Sequence, residues 1–503
     1  MPLIKICLIF LTNYDIIIIV NERNERNFFM TNFEEKIYKA FPTCTVNKTS
    51  TAATLMSFLD LDSDLKSWLL QKFTDKDGKL NAYMLSEYVK EYRLPANEWN
   101  IRLLEARHSE KGYIKLLTKV VVEFDYANDM ICYSLPEYSF PKKKKEAQVD
   151  WSTVSKHKKY LLTPDGCWGL VTLIYDCGIV VLNDFEPICP YTYDLNEYRE
   201  AARQFTTEEW IDVILSGLNF NPEGFTEEEK LTIIQRFLPF VEKRLNTIEL
   251  AIKGSAKSYC YSQLSPHNWL VSGNISRASA FYNLTTKKGG YFTKYSQIAF
   301  DEVQSIKTNN AEEMSNALKT YLESGEIRVG DFCTTADAGL SLIGNIDINR
   351  MDSTKYNMFK SLPKWMGESA FIDRFAMIID GKKIGRFNES RKMNGWGIST
   401  NYLVELLHSL RDEFYYRCII DELLIPEKGA DTRNVEAVKR IATAYLKLLF
   451  PYVTSVEDID VEKFKKYCLE PAIAGRSAVL SQLQIIDEEY EDKKMPEFTI
   501  SID

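Results

Sequence analysis

Histidine is scarce in this chain of 503 residues, where only His108, His157, His267 and His408 occur. Its ten cysteines (Cys7, Cys44, Cys132, Cys167, Cys177, Cys189, Cys260, Cys333, Cys418 and Cys468) are scattered, and no Cys-x-x-Cys pair is present. Zinc held by closely spaced thiolates and imidazoles is therefore not expected. Reduced thiols in a cytoplasmic protein are the simple reading. A long apolar run is lacking too. Leu3 to Val20 is broken by Lys5, Asn13, Tyr14 and Asp15, so it makes a poor membrane span, and no small-residue cleavage site follows it. The polar NERNERNFF comes next, and MTNFEEKIYKAF opens at Met30 like a fresh amphipathic start. Residues 1–29 are expected to be a non-native or disordered extension, with no stable membrane association; a short membrane anchor is the alternative reading. Basic excess is also absent: the net charge is -9 and the pI about 5.4. That excludes a protein coating nucleic acid over its whole surface, though a basic channel inside an acidic particle remains open.

What is present is an ordinary globular composition, 45% hydrophobic and 26% charged, in a chain long enough for several domains. FEEKIYKAF, LKSWLLQKF and LNAYMLSEYVKEY place apolar residues at helical spacing, giving an N-terminal helical domain over 30–111. KLLTKVVVEFD, DMICYSL, CWGLVTLIYD and GIVVLNDFEP alternate or run apolar between Asp, Gly and Pro. They predict a small β-barrel-like domain over 112–190, with Lys142 to Lys145 in one of its loops. A capping box at Thr206 starts one further helix, and a second capped helix is expected from Thr226 to Phe240. The strands TIELAI, WLVSG, SQIAFDE and GLSLIGNID then alternate with helices, so an α/β core with a parallel sheet is expected over 191–395. From about Thr400 the pattern is helical to Tyr490, a helical lid and tail over 396–503. The predicted fold is multidomain α+β.

TIELAI leads into Ala251-Ile252-Lys253-Gly254-Ser255-Ala256-Lys257-Ser258 and an apparent helix. A phosphate cradle needs a strand, a loop of small residues whose amides face the anion, and a helix N-terminus. In this P-loop reading Ala251, Lys253, Gly254, Ser255 and Ala256 form the cradle. Lys257 reaches the β- and γ-phosphates of ATP, and the Ser258 hydroxyl is a Mg²⁺ ligand. The usual glycine before the lysine is replaced by Ala256, and alone the motif reads equally well as a surface loop. SQIAFDE ends an apolar strand in Asp301 and Glu302, an acidic pair suited to hold the metal shell and to orient and deprotonate water. Asn345, ending LSLIGNID, is a candidate for positioning that water, or a turn residue. Arg374 in ESAFIDRF is a candidate arginine finger acting on a neighbouring subunit, or a salt-bridge arginine. Arg476, in the last helical segment, is a candidate nucleotide ligand by position alone.

AIKGSAKS, IAFDE, LIGNID and ESAFIDRF, with FTTEEWIDVILSGLNFNPE and AGRSAVLSQLQIIDEEY, together resemble the BrxL family. This is the Lon-like AAA+ component of BREX bacteriophage-resistance systems. The similarity runs from about Phe33 to Tyr490 and is most specific from Tyr193 to Phe375. It implies a bacterial cytoplasmic ring oligomer that hydrolyses ATP with Mg²⁺, binds DNA and works among other BREX components, with a core similar to minichromosome-maintenance helicases. Those helicases often carry Ala before the P-loop lysine. Family members usually continue into a Lon-protease-like domain, whereas Asp503 follows Tyr490 closely, so no proteolytic site is expected in this polypeptide. A nucleotide-gated scaffold with little hydrolysis and the ATPase half of a split protease are the alternatives. For DNA, the candidates are Lys287, Lys288, Tyr291, Phe292 and Lys294 in TTKKGGYFTKY, and the tetra-lysine loop. A solvated loop and a plain hairpin explain these segments equally well. An OB-like role for the β-domain is analogy at the level of fold.

Overall fold

The computed structural model describes residues 30–48, 63–74, 80–108, 112–126, 128–163, 166–176, 178–188, 193–347, 349 and 351–501. The apolar run before Met30, and Cys7, Cys177 and Cys189, lie outside the described residues. Among the described residues no helix is long and apolar enough to cross a membrane. They fall into two compact units, one holding residues 63–188 and the other residues 30–48 and 193–501.

Helix α1 (Asn32–Ala40) starts from a capping box in which Thr31 and Glu34 each accept the other's backbone N–H. Strand β1 (Thr45–Asn47) pairs antiparallel with residues 396–398. The Lys48 ammonium donates to the carbonyls of Ser216 (2.9 Å) and Gly217 (2.6 Å). These contacts commit residues 30–48 to the second unit. A single helical domain over 30–111 is therefore not what forms.

In the first unit, α2 (Ser63–Phe73), α3 (Ala82–Tyr92) and α4 (Trp99–His108) precede the barrel. Its strands are β2 (Tyr113–Asp125), β3 (Met130–Ser134), β4 (Ala147–Val149), β5 (Cys167–Asp176) and β6 (Ile179–Pro187), closed in the order β2-β3-β4-β6-β5. The long β2 serves two neighbours, pairing with β5 through Val120 and with β3 from Val121 onward. Its run of apolar residues does not alternate with polar ones because both faces are covered. Leu116 joins the barrel interior with Val171 and Phe185, while Leu117 packs with Leu65, Leu69 and Leu85 of the helices. Gly169 is required by close approach, since a Cβ there would lie 2.2 Å from the Phe185 ring. Strand β4 was not evident in the sequence because three residues carry no readable period.

In the second unit, α5 (Leu195–Ala202) is followed by α6 (Thr207–Gly217), which opens at the expected box of Thr206 and Glu209. The box of Thr226 and Glu229 opens α7 (Glu227–Ile234), and Pro239 lies in the short α8 (Leu238–Val241). The core sheet contains β7 (Thr247–Ala251), β8 (Asn268–Val271), β9 (Gln297–Phe300), β10 (Gly339–Asn345) and β11 (Met377–Ile378). All neighbours are parallel, in the order β11-β7-β10-β9-β8. Strands β7 and β9 are wholly buried, which is why they read as apolar runs. Strand β12 (Trp396–Ile398) is the partner of β1. The lid comprises α9 (Thr400–Ser409), α10 (Tyr415–Leu423), α11 (Thr432–Leu449) and α12 (Glu470–Ile486). It is not helical throughout. Pro426 cannot donate to a helical ladder, and residues 424–426 pair instead with residues 498–500.

Candidate nucleotide site

Strands β7 and β9 run parallel with only β10 between them, so the loops after Ala251 and Phe300 leave the same carboxyl edge of the sheet. Strands lie about 4.8 Å apart, which sets those two loops roughly 10 Å from each other. Asn345 is in register with Ala251 and stands between them. The Lys257 ammonium, with only 6% of the residue exposed, donates to Asn345 Oδ1 (3.2 Å), the Ile252 carbonyl (2.9 Å) and Ser255 Oγ (3.3 Å). Burial lowers its pKa; Glu249 and Asp301 oppose that, while Arg236 adds to it. Ser258 is the second residue of the short helix Lys257–Ser262. Asp301 is anchored by its own N–H to the Val271 carbonyl (2.8 Å), and its Oδ1 accepts the Glu302 N–H (2.8 Å). Glu302 is exposed and left-handed, at φ 45°. Lys253 and Gly254 are exposed at the loop tip, and Ala251 is buried.

Ala256 is left-handed as well, with φ 62° and ψ 23°. A residue with a Cβ gives up about 1–2 kcal/mol in that conformation, where glycine is at ease. The usual glycine is missing at a position that needs its geometry. Two contacts pack the rest of the loop. Gly381 packs directly over Ala251, where an added Cβ would come within 2.4 Å of the Ala251 Cβ. The Phe387 N–H donates to the Gly254 carbonyl (2.8 Å), placing the exposed Arg386 beside the loop.

Sequence reasoning also missed Arg236 and Glu249. Both are buried, and the arginine grips the carboxylate with Nε (2.9 Å) and Nη2 (2.5 Å), while Nη1 donates to the Ser255 carbonyl (2.9 Å). Burial is the largest influence on the Arg236 pKa and lowers it, but Glu249, with Cys260 and Tyr261, pulls the other way and the net shift is upward. A carboxylate in the middle of the apolar strand TIELA was the available signal, because a buried charge needs a partner.

Arg374 and Arg476 are not brought to Lys257. The Arg374 carbonyl accepts from Asn246 Nδ2 (3.4 Å), and Ala376 N–H donates to the Asn246 carbonyl (2.9 Å), just before β7 begins. Both arginines thus belong to the amino edge of the sheet. Arg476 is corrected from a nucleotide ligand to a buried clamp. It is 1% exposed and donates to Asn434 Oδ1 (2.7 Å), Asp373 Oδ1 (2.6 Å) and the carbonyls of Asp373 and Phe375. Arg374 Nε lies 3.1 Å from Glu323, which within one chain is the salt-bridge alternative.

For nucleic acid, Tyr282–Asn283 and Lys288–Gly289 form the antiparallel hairpin, with Lys287 and Lys288 exposed and Lys294 exposed just beyond. Phe292 is corrected: it is fully buried in the core and offers no face for a base. Tyr291 stacks on Trp269, their centroids 5.6 Å apart. In the other unit the tetra-lysine segment is exposed, and Lys144 pairs with Glu123 at 2.8 Å.

A parallel sheet carrying a strand–loop–helix cradle and an acidic pair on one edge defines an ATPase-type α/β core. Residues 180–496 match the family described as Lon-like protease BrxL-like, ATPase domain, and residues 39–175 match the BREX system Lon protease-like protein BrxL N-terminal family. The chain belongs to the BrxL family. It is 29% identical over 385 residues to the Lon-like protease BrxL of Escherichia coli O9:H4 (strain HS), covering 75% of this chain and 53% of that protein. It is 32% identical over 304 residues to the Lon-like protease BrxL of Bacillus cereus (strain H3081.97), covering 60% and 44% respectively. The chain thus spans about half the length of the curated relatives it matches.

Proposed function

We propose that this chain is an ATP-hydrolysing, DNA-binding, ring-forming motor or clamp of a BREX-type phage-defence system, acting in the bacterial cytoplasm. The observation that carries the reading is the convergence of Lys257, Asn345 and the Asp301–Glu302 pair on one sheet edge. On nucleotide entry Lys257 exchanges its contacts with Ile252 and Ser255 for β- and γ-phosphate oxygens. Ser258 and Asp301 offer hard oxygen donors, a set that suits Mg²⁺ shared with phosphates, and the ion would neutralise charge developing on the γ-phosphate. Exposed Glu302 orients the attacking water and takes its proton, while Asn345 holds the water in line. Arg374 of a neighbouring copy completes the charge stabilisation once it leaves Glu323. The hairpin lysines and the tetra-lysine loop supply contacts to DNA phosphates.

ATP turnover that survives both Lys257→Ala and Glu302→Gln overturns this reading. Electron microscopy with an ATP analogue and duplex DNA tests the ring and the DNA path together. The left-handed Ala256 and the inward-held Lys257 favour a second reading, a nucleotide-gated scaffold with slow turnover. Tight analogue binding without measurable phosphate release selects it.

A further inference from the structure

We propose that Arg236 is a positioning residue for nucleotide binding, fixing the Ser255–Ala256 peptide in place of the missing loop glycine. The inference rests on the cradle reading of residues 251–258.

Arg236 has no solvent exposure, and its guanidinium fork spans two targets: the Glu249 carboxylate on β7 and the Ser255 carbonyl in the loop. A buried ion pair is a weak source of stability, since apolar replacements of equal volume often do as well. Its retention here has a geometric consequence. In a trans peptide the C=O and the following N–H point in opposite directions. Drawing the Ser255 carbonyl inward onto a buried guanidinium therefore turns the Ala256 N–H away from the interior, as an anion cradle requires. The same peptide plane sets φ of Ala256, the residue held at 62°. A glycine would reach that angle freely; an alanine has to be kept there. Glu249 completes the device by holding the fork in one orientation from the strand that feeds the loop.

Lysine keeps a positive charge but not the planar fork, so Arg236→Lys leaves Glu249 with a cation and leaves the Ser255 carbonyl without its second arm. The expected result for Arg236→Lys is a near wild-type melting curve, an approximately 10-fold rise in both KM for ATP and Kd for a non-hydrolysable analogue, and a kcat within about 3-fold of wild type. Ala256→Gly added to Arg236→Lys recovers most of the lost affinity, a gain larger than the same change produces in the wild-type background. The paired change Arg236→Met with Glu249→Met removes both buried charges and is expected to raise KM similarly in a folded protein. A folded Arg236→Lys that binds the analogue as wild type does overturns the proposal, as does an Ala256→Gly effect equal in both backgrounds. Melting lost in both Arg236 variants, with unchanged KM in the surviving fraction, marks the arginine as merely structural and also overturns it. If the wild-type chain itself binds no ATP, the cradle reading falls, a result distinguishable from these.

Discussion

Both edges of the core sheet carry charged side chains, and they treat them differently. At the amino edge Asp373 accepts from Arg476 (2.6 Å), Arg433 (2.7 Å) and Tyr490 (3.3 Å), and Glu323 takes Arg433 and Arg374 at 3.1 Å each. Every one of these groups is answered by another within the chain. At the carboxyl edge Lys257 is held only by loop oxygens and an amide, Glu302 stands exposed on a left-handed backbone, and Ala256 is strained. Saturated charge fixes helices α11 and α12 to the sheet. Unsaturated charge and strain are affordable only where a ligand offsets them. The contrast separates candidate chemistry from architecture more sharply than residue type does.

Perturbing each edge sharpens the contrast. The largest effect is expected from Glu302→Gln, which lowers ATP turnover by about 10³-fold while leaving the melting temperature and analogue binding close to wild type, as measured by phosphate release and calorimetry. Arg476→Leu should do the reverse. Stranding Asp373 without its main partner costs about 3–4 kcal/mol of stability in denaturant titration, with KM for ATP unchanged in the folded fraction. A loss of nucleotide affinity from Arg476→Leu without destabilisation would break the distinction.

A smaller effect is expected with pH, again at the amino edge. His408 lies on α9 with its ring stacked on His267 (3.7 Å between centroids), and Ser296 is 2.8 Å from its Nε2. Burial, then the charges of His267 and Arg411, push its pKa down to about 3 against the opposing pull of Glu405 and Asp412. The unfolded chain takes up that proton below about pH 6.5 and the folded one only near 3, so stability falls as pH falls through this window. The loss from this residue between pH 7 and pH 5 is about 2 kcal/mol, and His408→Gln should flatten that part of the profile in urea melts. The smallest effect is a gain. Ala256→Gly relieves the left-handed strain and should stabilise the chain by about 0.5–1 kcal/mol, read as a rise in melting temperature with nucleotide affinity retained.

Much of this was legible from residue order. The capping box at Thr206, the capped start at Thr226, the long barrel strands, and the sheet strands ending at Ala251, Phe300 and Asn345 all follow from local period and punctuation. The hairpin reading of the segment around Gly289 and Gly290 was legible, but the turn itself falls at 284–287, before the glycines. Short pieces were not. Three-residue strands such as Ala147–Val149 and Leu424–Pro426 form because distant chain offers them an edge, and nothing within them announces it. Phe292 and Tyr291 are adjacent aromatics in one segment, yet only the fold tells which of them faces the core.

By itself, the sequence determined which of the longer segments become helix or strand and in what order the lysine, the acidic pair and the asparagine leave the sheet, because those properties reside in neighbouring residues. Only the tertiary structure decided that Arg476 serves Asp373, that Arg236 reaches the Ser255 carbonyl, and that Lys48 ties residues 30–48 to α6. A long cationic side chain has many oxygens it can satisfy. Which one it meets depends on strand order and burial, which are set by the packing of the whole core rather than by any stretch of chain.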